Sequence, residues 1–141
     1  MAGALSGLAP ALTTVRLGIH VLAGAVWVGG QIVMVGLVPT ARRLEAGAAK
    51  ALARAFARLS WPAFAVVVVT GFWNVSTFHF ADQDTAWKVL LGVKIAVVVV
   101  AGLAAVLHGR ASTKAGLAVW GSVAGVCSVA ALFMGVLLAG P

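Results

Sequence analysis

Four apolar runs, each close to the length needed to cross a bilayer, constrain this chain more than any other feature of it. A hydrocarbon core ~30 Å thick and a helical rise of ~1.5 Å per residue require ~20 apolar residues per crossing. Runs of that kind occupy residues 15–38, 59–75, 86–108 and 115–139 and leave little else. Hydrophobic residues make up 62% of the chain, against roughly 45–50% in a soluble domain, which is more than one small core can bury. The valine runs at 66–69 and 97–100 would favour strands in water. In lipid an open sheet edge is not viable, and four segments are too few for a barrel. The expected fold is therefore all-α: a polytopic membrane protein, one domain, built as a four-helix transmembrane bundle.

Charge sets the expected orientation. The connection over residues 40–58 carries Arg42, Arg43, Lys50, Arg54 and Arg58 against Glu45 alone, and the third connection carries Arg110 and Lys114. The second connection carries Asp82 and Asp84, with Arg16 and Lys88 at nearby helix ends. Seven basic residues against two place the basic connections in the cytoplasm and both termini outside by the positive-inside rule. Lys50, Arg54 and Arg58 recur every four residues beside Leu44, Leu52, Phe56 and Leu59. That stretch reads as an amphipathic interfacial helix or an inward extension of the second span, its basic face meeting anionic headgroups. The first fifteen residues hold no Lys or Arg, so the first apolar run reads as a retained helix and not a cleaved leader.

Composition also removes whole classes of function. The net charge of +7 has anionic lipid as its counterpart, because a nucleic-acid interface needs a polar groove-reading surface that this chain lacks. A single cysteine, Cys127, excludes an intrachain disulfide and paired-cysteine zinc motifs. No carboxylate lies inside a span, no Ser-His-Asp arrangement fits the helix depths, and no nucleotide-binding loop is present, which argues against hydrolysis and ATP-driven pumping.

What remains is the set of polar residues inside the spans, which are costly in lipid and face bundle interiors. His20, Gly24, Trp27, Gln31 and Met34 form one stripe on the first helix, and Lys94, Val98, Ala101, Ala105 and His108 form another on the third. Trp120, Val123, Cys127 and Met134 form the expected inner stripe of the fourth. His20, Thr70, Lys94 and Met134 fall at one depth near the acidic connection, which adds His79. His20 and His108 lie on the order of 20 Å apart by helix rise and cannot share one metal. Imidazole and thioether suit copper, so His20, His79, Met134, Met34 and His108 are the candidate metal ligands, with Trp27, Gln31 and Lys94 as candidate cofactor contacts. Cys127 reads as a small packing residue, Trp61, Trp73, Trp87 and Trp120 as interface anchors, and Gly29, Gly30 and Gly71 as points of close helix approach.

These residues carry a family resemblance. The stretch HVLAGAVWVGG, the RAFARL lead into TGFWN, and the opening WKVLLGVK of the third helix resemble, in order and spacing, the copper resistance protein D family. That resemblance implies a bacterial inner-membrane protein of copper homeostasis that binds copper and moves it across the membrane, with His20, Trp27, Gly29, Gly30, Gly71 and Lys94 as its framework. Many members have about eight helices, so four imply a homo-oligomer or a partner membrane subunit. The early-helix histidine and buried lysine are also similar to compact membrane proteins of the J-type protoporphyrinogen oxidase group, which implies haem as the alternative cofactor. A site-free structural subunit is the third reading, and the balance favours a non-enzyme. The orientation is directly testable: in a Cys127→Ala background, single cysteines at positions 47 and 82 should react with an impermeant maleimide from opposite sides of the membrane. Labelling of both from outside would overturn it.

Overall fold

The computed structural model describes residues 10–140, and the residues at 1–9 and 141 lie outside it, including most of the segment read above as leaderless. Four helices follow in order: α1 (Ala11–Leu44), α2 (Ala48–Ser76), α3 (Thr85–Arg110) and α4 (Lys114–Ala139), with one 3-10 turn at Phe80–Asp82. All four are long and apolar enough to cross a membrane. The protein is an all-α four-helix bundle.

Two boundaries differ from the sequence reading. Helix α1 runs through Pro39 to Leu44, where a stop was expected. Proline there removes one hydrogen bond to the carbonyl one turn back, a loss that water at a membrane edge can offset. The amphipathic stretch is not a separate element: it is the first part of α2, which begins at Ala48 and continues through Pro62. The α1–α2 connection thus shrinks to residues 45–47, where Gly47 takes the left-handed conformation (φ 90°) that closes the turn.

The short connections impose the topology. Residues 45–47 and 111–113 each join antiparallel neighbours, giving an α1–α2 hairpin and an α3–α4 hairpin, and α1 meets α4 to join the two. Helices α2 and α3 do not pack along their lengths. Helix starts are set by side chains: the Asp84 carboxylate accepts from Trp87 N at 2.6 Å, and Thr113 Oγ1 accepts from Gly116 N at 3.0 Å. Basic residues stand at the ends of α1 (Arg42, Arg43) and α3 (His108, Arg110), where they complement the helix dipole.

The distribution of side chains inverts that of a soluble protein. The buried set is mostly small or polar: Ala23, Ala101, Ala104, Ala124, Ala131, Ser60, Thr70 and Ser128. Large apolar residues such as Leu22, Val35, Val69, Phe72 and Leu137 are exposed. With lipid as solvent, apolar surface gains nothing from burial, and close backbone approach becomes the packing force. Gly30 shows this, since the Phe56 ring occupies the space where its Cβ would stand. Replacing Gly30 by Val should lower hairpin stability by about 1–3 kcal/mol, with partial rescue by Phe56→Ala. Gly36→Ala, which meets nothing, should be neutral, all read by thermal unfolding in detergent.

Candidate functional site

Because α2 and α3 meet only locally, the bundle holds a partly open cavity of about 880 Å³ lined by all four helices. Its volume falls in the ~300–1,000 Å³ range of small-molecule and cofactor sites. The walls are overwhelmingly valine, leucine, alanine and aromatic side chains. Trp27, Trp61 and Phe64 form one aromatic cluster on the wall, with ring centroids 4.5 to 5.9 Å apart. Phe64 also reaches across to α3, where Gly102 has no side chain to meet it. At the acidic end Phe78 and Trp87 line the cavity, their centroids 5.2 Å apart, and Trp87 Nε1 donates to the Leu138 carbonyl at 3.2 Å. That bond satisfies one of the free carbonyls at the end of α4.

His20 and Lys94 both line this cavity, from α1 and α3. His20 Nδ1 lies 2.7 Å from Thr70 Oγ1, and Thr70 Oγ1 lies 2.6 Å from the Val66 carbonyl. The carbonyl can only accept, so the one hydroxyl proton of Thr70 goes to Val66, and Nδ1–H must be the donor to Thr70. In the neutral ring the lone pair then sits on Nε2; the ring also makes a hydrogen bond with the backbone of Val67. Gly71 faces the ring edge, where a Cβ would stand 3.5 Å from Cε1. Lys94 rests over Gly135 of α4: a Cβ there would come within 2.9 Å of Nζ. No hydrogen bond or ion pair to Nζ forms among the described residues. The two groups share one chamber without a direct bond between them.

A second polar contact joins the two hairpins. Trp27 Nε1 donates to Ser128 Oγ at 2.9 Å, and Gln31 Nε2 donates to the same oxygen at 3.2 Å and to the Trp27 carbonyl at 3.1 Å. Trp27 therefore lines the cavity while Gln31 serves the α1–α4 joint.

The remaining candidates lie elsewhere. Met34 and Met134 do not line the cavity, and His79 is exposed in the acidic connection. His108 sits at the basic end, where Nδ1–H donates to the Leu117 carbonyl at 2.8 Å and the ring packs over Gly121. Among the described residues no group of three or more His, Cys, Asp or Glu could hold a metal ion. The inner face of α4 is also rotated from the expected stripe. Ala124, Ser128 and Ala131 are buried and Gly135 lines the cavity, whereas Val123 and Cys127 border a shallow depression on another face. The small residues of α4 at three- and four-residue spacing carried that signal. Trp61 and Trp87, expected as interface anchors, belong to the cavity wall.

Sequence reading passed over Ser128, Asn74 and the buried state of Arg16. Ser128→Ala should lower stability by about 1 kcal/mol, because it leaves the Trp27 indole donor without its acceptor and Gln31 with the Trp27 carbonyl alone. A red-shifted or quenched tryptophan emission should accompany the lowered unfolding midpoint.

Compared with protein families, with curated proteins and with solved structures, the chain matches none of them.

Proposed function

We propose that this protein binds a haem or a closely related tetrapyrrole within the bilayer, with His20 as its protein ligand. One observation carries the reading: an imidazole oriented through Nδ1 by Thr70 stands on the wall of an apolar chamber of cofactor size that also holds a lysine amine. The donor chemistry fits, since a neutral imidazole fixed through its other nitrogen is the common protein ligand of haem iron. The shape fits as well, since the chamber has cofactor volume and apolar and aromatic walls. The early-helix histidine and the buried lysine that carry the likeness to the J-type oxidase group meet in one cavity, which supports that reading over a site-free subunit.

Each residue then has a task. Thr70 holds the His20 ring in one tautomer and one orientation. The Trp27, Trp61 and Phe64 cluster excludes water and offers flat apolar contact. Lys94 supplies the one amine in the chamber, able to hold or pass on a proton. A bound haem supplies one-electron redox chemistry, so the protein would serve as a redox enzyme or an electron carrier. The expected setting is a bacterial cytoplasmic membrane with basic connections inward, and the gap between α2 and α3 gives a lipid-side route to the cavity for an apolar ligand.

Copper, the cofactor implied by the likeness to the copper resistance protein D family, would use the same imidazole. Met34, Met134, His79 and His108 do not share its cavity, so within one chain a copper ion would have His20 alone and would need a second copy or a partner subunit to complete its site. An absorption spectrum with metal analysis separates the two. Protein purified from a haem-producing host should show a Soret band that His20→Ala abolishes at unchanged helical content and Cys127→Ala leaves intact. Bound copper without a Soret band would replace haem by copper, and neither one would overturn both.

A further inference from the structure

The basic end of the bundle carries far more charge than the chain itself neutralises. Seven basic residues stand there against one carboxylate, Glu45 in the turn between α1 and α2. Even with Glu45 engaged, most of that charge is unmatched. Arg54, Arg58 and Arg110 are exposed, and no ion pair or side-chain hydrogen bond forms to them among the described residues.

These three arginines also continue two apolar stripes. Arg54, Trp61, Val68 and Phe72 recur at spacings of seven, seven and four on α2, with Arg58 one turn before Trp61. Val99, Leu103, Val106 and Arg110 recur at four, three and four on α3, so each set lies along one side of its helix. The apolar members border the open flank of the cavity, yet Phe72, Val99 and Leu103 are 65%, 54% and 60% exposed. They are the walls of a lipid-facing groove between α2 and α3. Its floor is the contact of Phe64 with Gly102.

The heights of the two helices agree. From that floor towards the basic end, Arg110 stands about 12 Å along α3, between Arg58 at about 9 Å and Arg54 at about 15 Å along the antiparallel α2. The guanidinium-bearing positions thus flank one end of the groove. From Trp61 to Phe72 the apolar wall runs about 16 Å, the depth of one leaflet of a hydrocarbon core ~30 Å thick.

We propose that this groove binds an anionic phospholipid from the leaflet at the basic end, with its phosphate received by Arg54, Arg58 and Arg110 and an acyl chain along the apolar wall. Cationic at the headgroup level and apolar for the depth of a leaflet, the groove has the complement of an amphiphile. Arginine suits the phosphate because its planar fork donates two parallel hydrogen bonds. A second copy of the chain is the weaker fit. Inserted in the same orientation, it would bring its own basic end to the same level, where like charges repel. The lipid lies outside Phe64, so the inference is independent of what the cavity holds.

The test uses native mass spectrometry of the full chain in neutral detergent with equal amounts of phosphatidylglycerol and phosphatidylcholine of matched acyl chains. The first lipid bound to the wild type should be phosphatidylglycerol by about fivefold or more, as expected for basic residues at the headgroup level. Replacing all three arginines (Arg54→Gln, Arg58→Gln, Arg110→Gln) should bring the ratio close to parity. Arg42→Gln with Arg43→Gln removes charge from the same end but from α1, which does not border the groove, and should leave the preference in place. Equal binding of the two lipids by the wild type overturns the proposal, and that comparison needs no variant to fold. An equal loss of preference in both sets of variants assigns the effect to the whole basic end and also overturns the groove. A lipid-free dimer in place of a lipid-bound chain gives the groove to a second copy and overturns it as well.

Discussion

Everything in this bundle depends on the joint where Trp27 and Gln31 of α1 both donate to the Ser128 hydroxyl of α4. Each hairpin is held by its own short connection, and the contact of α1 with α4 is the main one that joins the two, with Phe64 of α2 over Gly102 of α3 as a local second. In lipid that contact gains little from apolar burial, so small residues and shared polar groups must hold it. Ala124, Ser128 and Ala131 provide the close approach, and the indole and amide provide the direction. Because the hairpins meet mainly along this seam, α2 and α3 stay apart except where Phe64 reaches Gly102, and the space left among the four helices is the cavity.

The cavity then turns polar residues that look like isolated costs into a consistent set. His20 is oriented by Thr70, whose own proton is committed to Val66, and this leaves the lone pair of the neutral ring on Nε2. Lys94 is accommodated by the absence of a side chain at Gly135. The aromatic cluster closes the wall around Trp27, and Trp87 secures the far end by tying the start of α3 to the end of α4. Glycine at 102 and 135 has one role at two places, to let a ring or an amine stand where a methyl would crowd it, whereas a methyl at 71 would make only ordinary contact with the His20 ring.

Much of this was legible in the sequence, for reasons that also mark where legibility stops. Span length and lipid solvation are enough to give four helices, and helix depth is enough to bring His20, Thr70 and Lys94 to one level. The rotation of α4 was not readable from hydropathy, since both of its faces are apolar, and weight given to Trp120, Cys127 and Met134 selected the wrong one. The pattern of small residues ending at Gly135 was the better guide. Arg16 looked like a charge at a helix end, and its burial follows only from the packing of α1 in the assembled bundle. Residues 48–58 read as helical in either case, and of the two readings, a separate interfacial helix or an extension of the second span, the unbroken run of α2 from Ala48 bears out the extension.

The central claim is that Thr70 fixes His20 with its proton on Nδ1 and presents Nε2 as a ligand within the bundle. Nitrogen-15 NMR of histidine-labelled protein in detergent micelles, with His20 assigned by its loss in His20→Ala, measures this directly. The account predicts a His20 ring protonated at Nδ1 and bare at Nε2, and a change of that pattern in Thr70→Val. A proton found on Nε2 with Nδ1 bare would contradict it, because the nitrogen offered to a ligand would then be the one already facing Thr70.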